Sequence, residues 1–182
     1  FLSVLIISRA LGPEDYGVLS ILMGIQYITA QISSYGFSVS VPKIISGNLK
    51  RIKTVIRFLF VFRFLCIVIT SLLLSTYLNT ISYLDSEMKI IVIIGFVCNS
   101  IYIFSLTINQ SLKMYGAWSV LNILNNLLKL LTVVIIMLSL GSLSVEIVLV
   151  VIAMIQAVLG MISFFHCRKV FYPSLTSIKT SK

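Results

Sequence analysis

Arg9-Ala-Leu-Gly-Pro-Glu-Asp-Tyr-Gly17 is a short polar break between two long apolar runs. A Gly-Pro step does not continue a helix, because Pro13 has no amide hydrogen to donate and Gly12 takes backbone angles that side chains disfavour. Pro13 suits the first position of a new helix. Glu14 and Asp15 then fall in its first turn, where the positive end of the helix dipole favours acids. The sequence therefore predicts one apolar helix ending near Arg9 and another beginning near Pro13, with the chain folded into a tight hairpin between them. Only residues 1–8 precede Arg9. That is about 12 Å of helix against a hydrocarbon layer about 30 Å thick. The chain, which does not begin with Met, is expected to be a fragment starting inside its first spanning helix.

The apolar runs decide the class. Of 182 residues, 59 % are hydrophobic and 10 % charged, with a mean hydropathy of +1.11. A soluble domain carries about a quarter charged residues, so the pattern predicts an all-α, polytopic integral membrane bundle. The apolar segments recur along the whole chain, which excludes a single cleavable signal peptide as their explanation. Spans are expected at about 16–35, 58–78, 90–112, 117–138 and 145–166, with the truncated one at 1–8, making about six. They form one bundle over 1–169, followed by a Ser/Thr/Lys-rich linker or tail at 170–182. The second span has a longer version running to Ser46, bent at Gly36 and Pro42.

A net charge of +9 raises the question of nucleic acid, and its distribution answers it. With alternating spans, one side collects Lys43, Lys50, Arg51, Lys53, Arg57, Lys113, Arg168, Lys169, Lys179 and Lys182 and no acid. The other holds Arg9 and Lys89 with all five acids, Glu14, Asp15, Asp85, Glu87 and Glu146. The positive-inside rule assigns the basic side, including the tail, to the cytoplasm. Without a soluble basic face, nucleic acid is not an expected partner. The connection 48–57 is a topology anchor, or a headgroup-level segment that docks anionic lipid. Cys66 and Cys98 lie inside spans and Cys167 at a cytoplasmic end, without zinc spacing, and they read as small buried hydrophobes.

Polar side chains inside spans are costly and mark bundle interiors or wet cavities. In the span 117–138, Ser119, Asn122, Asn125, Asn126, Lys129 and Thr132 recur at helical steps and share a face opposite Leu, Ile and Val. Lys129 stands near mid-span, too deep to snorkel easily. Two explanations stand: these residues line a cavity, or the asparagines hold helices together by hydrogen bonds of about 0.6 kcal/mol each. Arg63 lies about one and a half turns into its span, either snorkelling or facing a cavity. Gln26, Thr29, Ser33, Asn99, Asn109 and Gln110 add polar groups elsewhere. No acid stands mid-span, so the intramembrane charge is positive and suits an anion such as a lipid phosphate. The single histidine, His166, sits at a helix end. No phosphate loop, nucleophile elbow or metal-ligand pair occurs, so neither an enzyme nor a cofactor is expected.

The opening nonapeptide resembles the R-x-L-G-P-x-x-Y-G junction after the first helix of bacterial polysaccharide flippases. These are the O-antigen and capsule repeat-unit translocases of the multidrug/oligosaccharidyl-lipid/polysaccharide exporter superfamily. Tyr35-Gly-Phe-Ser38, Asn109-Gln110 with Lys113-Met-Tyr-Gly116, and Phe164-Phe-His-Cys-Arg-Lys169 are similar to the family's later junctions in order and spacing. The resemblance implies about a dozen helices or more in two six-helix halves around a central cavity, of which this chain is the N-terminal half. It implies movement of an undecaprenyl-pyrophosphate-linked oligosaccharide from the inner to the outer leaflet of the bacterial cytoplasmic membrane by alternating access. The partners are then membrane lipids, that substrate and the C-terminal half. Lys129 would be the main partner of the pyrophosphate and Arg63 the second, with Asn122, Asn125 and Asn126 binding sugar hydroxyls. The rivals are a multidrug or metabolite exporter of the same superfamily, a membrane-embedded glycan polymerase or acyltransferase, and a non-transporting remnant. The first would need carboxylates in its spans, and the second a catalytic cluster at an interface or in a large loop.

Overall fold

The computed structural model describes residues 2–34, 36, 40–43, 52–82, 84–140 and 144–171. Five long helices carry them: α1 (Leu2–Ser34), α2 (Ile52–Thr80), α3 (Ser86–Ser111), α4 (Tyr115–Leu140) and α5 (Val145–Phe171). No strand occurs among the described residues. Among the described residues, four helical segments are long and apolar enough to cross a membrane: Arg57–Thr80, Ser86–Ser111, Tyr115–Ser139 and Val145–Phe165. The chain is a multi-pass membrane protein. The remaining two expected spans are the two arms of α1. The first is short, and Gln26, Gln31, Ser33 and Ser34 dilute the second.

The break inside α1 is confined to one residue. Gly12 has φ 80° and ψ 172°, and Pro13 follows at the start of the second arm. A Cβ on Gly12 would meet nothing within 4 Å, so backbone conformation rather than space requires glycine there. The first arm runs on to Leu11, beyond the expected end near Arg9. Helix α1 then stops at Ser34, and Gly36 takes the left-handed conformation at φ 71°. Helix resumes at 40–43, and the rest of the longer version of this span, to Ser46, lies outside the described residues. The segment 44–51, most of the basic connection, and the tail from residue 172 lie outside the described residues. So do Tyr35, Phe37 and Ser38 of the glycine motif and 141–143 of the α4–α5 turn.

Short connections make α2, α3, α4 and α5 run alternately up and down. One core cluster joins Ile7, Leu19 and Leu22 of α1 with Leu78 of α2, Leu84 beside α3, and Val145 and Val148 of α5. The Gly12 break, the α2–α3 connection and the start of α5 therefore gather at one end of the bundle, and the α3–α4 turn lies at the other. That turn has a Schellman pattern: Met114 N–H donates to Asn109 O (2.9 Å) and Lys113 N–H to Gln110 O (3.1 Å). Its left-handed residue is Lys113, at φ 58°, rather than a glycine.

Helix α3 is the hub. It packs on all four other helices, most extensively on α5. Lipid gives helices no hydrophobic drive to associate, so close backbone approach and interhelical hydrogen bonds carry the contacts. Gly160 of α5 faces α3, where an added Cβ would make ordinary contact at 3.5 Å from Ile101 Cγ2 and 3.6 Å from Tyr102 Cα. Gly95 of α3 receives the carboxamide of Gln26, whose Nε2 donates to Val92 O at 3.2 Å. The hub reaches α4 through Tyr102 OH, which donates to Leu121 O at 3.2 Å. It reaches α5 twice, through Asn109 Nδ2 to Ser163 Oγ (2.6 Å) and Gln156 Nε2 to Asn99 Oδ1 (3.3 Å).

Candidate functional site

Helix α4 is amphipathic within the membrane, and the bundle uses its two sides differently. Ile123, Leu127, Leu131, Ile135 and Leu138, spaced along one stripe, are exposed. The opposite side carries the polar residues and meets α1, α3 and α5. Along it Asn125 is buried, Asn122, Lys129 and Thr132 are half-buried, and Asn126 and Ser119 are exposed at the edge. Asn122, Asn126 and Lys129 thus rise one turn apart along the boundary between packed and open surface, each step about 5.4 Å. Lys129 is about 21 Å of helix from Tyr115 and about 16 Å from Leu140, which places it near mid-depth.

The side-chain hydrogen bonds of this polar face stay on its own helix. Asn122 Nδ2 donates to Trp118 O (3.0 Å) and Asn126 Nδ2 to Asn122 O (3.1 Å), both on their own helix. Thr132 Oγ1 likewise donates to Leu128 O at 2.6 Å. None of these bonds joins α4 to a neighbour. Asn125 is 9 % exposed, and among the described residues no donor reaches its Oδ1. A buried acceptor left this way costs about 1–3 kcal/mol. Lys129 has no carboxylate partner among the described residues. Helix-to-helix side-chain bonds come from Gln26, Arg63, Asn99, Tyr102, Asn109, Gln156 and Ser163. Of these, Gln156, Ser163 and Tyr102 escape the sequence reading. A lone glutamine in the apolar run of α5 is the signal that would have found the first.

Arg63 lies elsewhere. It is 2 % exposed, and its Nη2 donates to Ser100 O of α3 at 3.4 Å. With Phe60, Phe64 and Ile67 it forms one wall of a cleft closed by α3 and by Gly160, Met161, Phe164 and Phe165 of α5. No residue of α4 lines this cleft. Helix α2 packs mainly on α1 and α3, and α4 on α1, α3 and α5. The structure therefore groups Asn122, Asn125, Asn126 and Lys129 on one helix and sets Arg63 in a separate site. The guanidinium of Arg63 is directed to α3, where it meets Ser100 O.

Among the described residues, no group of His, Cys, Asp and Glu is placed to hold a metal ion. Cys66 is buried and Cys98 half-buried, both as free thiols.

The family model described as polysaccharide biosynthesis protein matches residues 1–182. The chain belongs to this family. No curated protein and no solved structure matches it. Membership in the polysaccharide biosynthesis family, together with the spanning helices, gives this protein a polysaccharide-related transport role in the membrane.

Proposed function

We propose that this polysaccharide biosynthesis protein moves a lipid-linked oligosaccharide, an undecaprenyl-pyrophosphate-linked repeat unit, from the inner to the outer leaflet by alternating access. The observation that carries the proposal is the α4 face. Lys129 stands at mid-depth without a carboxylate partner among the described residues, and three carboxamides lie within two turns of it. A pyrophosphate and several sugars do not cross hydrocarbon unaided, because their polar groups lose water and gain nothing in exchange. Lys129 supplies a positive charge where the pyrophosphate passes. Asn122 and Asn126 direct their amide groups along α4 and keep carbonyl oxygens for hydroxyl donors. Asn125 Oδ1 offers a further acceptor.

In this proposal the exposed edge of α4 faces a second helical bundle across the transport path. Alternation of the two bundles opens the path to one side and then the other. The lipid tail stays in the bilayer throughout, so only the head region needs a polar route. The basic end of the bundle is cytoplasmic and the Gly12 break external, in line with the charge asymmetry. The protein acts as a transporter of the bacterial cytoplasmic membrane, without a catalytic step of its own.

Deleting the gene and restoring it, while following lipid-linked oligosaccharide on each leaflet, tests the proposal. Accumulation on the inner leaflet in the deletion strain, relieved by the complete gene, is the expected result. Unchanged distribution between leaflets would remove the flippase reading and leave the polymerase or acyltransferase rival.

A further inference from the structure

Among the described residues, the side-chain hydrogen bond that ties α4 to the α3 hub comes from Tyr102. This tyrosine is 4 % exposed, and its OH donates to Leu121 O at 3.2 Å. The acceptor is a helix-interior carbonyl that already takes the N–H of Asn125 in the α4 ladder. The bond is also longer than the roughly 2.7–2.8 Å usual for a hydroxyl donor. One turn along the same side of α4, Asn125 Oδ1 is buried, and no donor among the described residues reaches it. A tyrosine hydroxyl has a single proton to give. Here it goes to the oxygen that has a donor already, one turn from the oxygen that has none.

The two oxygens are related by a rotation. In an α-helix a carbonyl projects toward the C-terminus, whereas a side chain leans back over the preceding turn. Leu121 O and the Asn125 carboxamide therefore stand at about the same level. Around the axis, four residues advance one full turn and about 40° more. Turning α4 by about 40° thus brings Asn125 Oδ1 before Tyr102 in place of Leu121 O. Tyr102 then keeps an acceptor, Leu121 O keeps its helical donor, and Asn125 Oδ1 gains one. The other polar bonds of α4 do not oppose the turn, because Asn122, Asn126 and Thr132 bond their own helix and travel with it. The residues carried away from the hub on the trailing side, Leu124 and Leu128, are apolar and suited to lipid.

We infer that α4 has two rotational settings on the hub, exchanged through the Tyr102 hydroxyl, with Leu121 O as acceptor in the present setting and Asn125 Oδ1 in the other. Packed helix interfaces hold discrete arrangements rather than a continuum, and two alternative acceptors for one proton define two of them. The polar face turns with the helix. In the present setting Asn122 and Lys129 are half-buried at the open boundary. In the other, Lys129, four residues beyond Asn125, comes to the side of the helix that Asn125 occupies now. The rotation therefore presents the cation at the boundary or withdraws it toward the packed side. Its use in transport rests on the function proposed above, whereas the two settings rest on the hydrogen bonding alone.

Double electron–electron resonance on the complete protein in lipid nanodiscs reads the settings directly. Nitroxides go on Leu72→Cys of α2, paired in turn with Val120→Cys and Ile123→Cys of α4, all exposed positions, with the native cysteines changed to alanine. The two α4 sites differ by about 60° around the axis, so the turn moves at least one of them along the line between the spins. A side-chain tip about 5–6 Å from the axis moves about 4 Å in such a turn, and two distances separated by up to about 4 Å are expected. Asn125→Leu and Asn125→Ala remove the second acceptor, and each should leave one distance, that of the present setting. Leu131→Ala, on the exposed stripe, should keep both. A single distance at both pairs in the otherwise unchanged protein overturns the inference. So do two distances that survive in either Asn125 variant, or a second distance lost in Leu131→Ala. The readout is a distance and not transport, so failure of the transport reading leaves these outcomes as they stand.

Discussion

Asn109→Ala is expected to lower the unfolding free energy by about 2 kcal/mol, in two parts. Asn109 is fully buried, and its Nδ2 donates to Ser163 Oγ at 2.6 Å and to Ser105 O at 3.1 Å. Interhelical hydrogen bonds within membranes average about 0.6 kcal/mol and reach about 1.7 kcal/mol, and the short contact to Ser163 places this one in the upper part of that range. Removing the carboxamide also leaves a small void, which costs about 1 kcal/mol. Ser163 is itself fully buried, so it has no water to replace the lost donor. The pair can be isolated by a double-mutant cycle of Asn109→Ala and Ser163→Ala. Unfolding by SDS in mixed micelles, followed by far-UV circular dichroism and by Trp118, the single tryptophan, gives the four free energies. A coupling of about 1 kcal/mol or more is expected. A coupling below about 0.5 kcal/mol, the scatter of independent sites, would refute the claim that this bond joins α3 to α5.

Gly12→Ala meets no neighbour but forces a side chain into φ 80°, so it should destabilise by about 1–2 kcal/mol in the same assay. Gly95→Ala and Gly160→Ala should diverge. The first drives Gln26 from its place and breaks the bond to Val92 O, whereas the second makes ordinary contacts and should cost less than about 0.5 kcal/mol. Reporters fused near residue 84 and near residue 114 should read as external and cytoplasmic, respectively. The opposite pattern would invert the orientation proposed for the bundle.

Most of the fold can be read in the chain because long apolar runs have one physical solution in a bilayer. The break at Gly12 and Pro13 is legible because its cause is local backbone chemistry. The start of α5 is legible for the same reason: Ile147 N–H donates to Ser144 Oγ at 3.4 Å, the cap that a serine before an apolar run announces. The turn between α3 and α4 is legible only in part. Lys113, rather than Gly116, takes the left-handed position, and nothing in Lys113-Met-Tyr-Gly116 distinguishes them beforehand.

The polar face of α4 follows from helical spacing alone. Its hydrogen bonding does not, because an asparagine can bond its own helix or a neighbour with equal ease. Arg63 shows the wider limit. Its depth in the span is a sequence property, but the helices that surround it are set by packing. The cleft formed with α5 comes from residues a hundred positions away. The α3 hub has the same character, since Gln156 finds Asn99 only once α3 and α5 are antiparallel and close.

Outer-leaflet lipid-linked oligosaccharide in cells carrying Lys129→Gln in the complete gene is the most direct test of the central claim. Loss of a charged hydrogen-bond partner is worth about 1.5–3 kcal/mol, so flipping should fall by at least about tenfold, with substrate accumulating on the inner leaflet. Lys129→Arg, which keeps the charge, should retain most of the activity. Normal outer-leaflet levels in Lys129→Gln, at wild-type protein abundance, would contradict the proposal that α4 carries the pyrophosphate across.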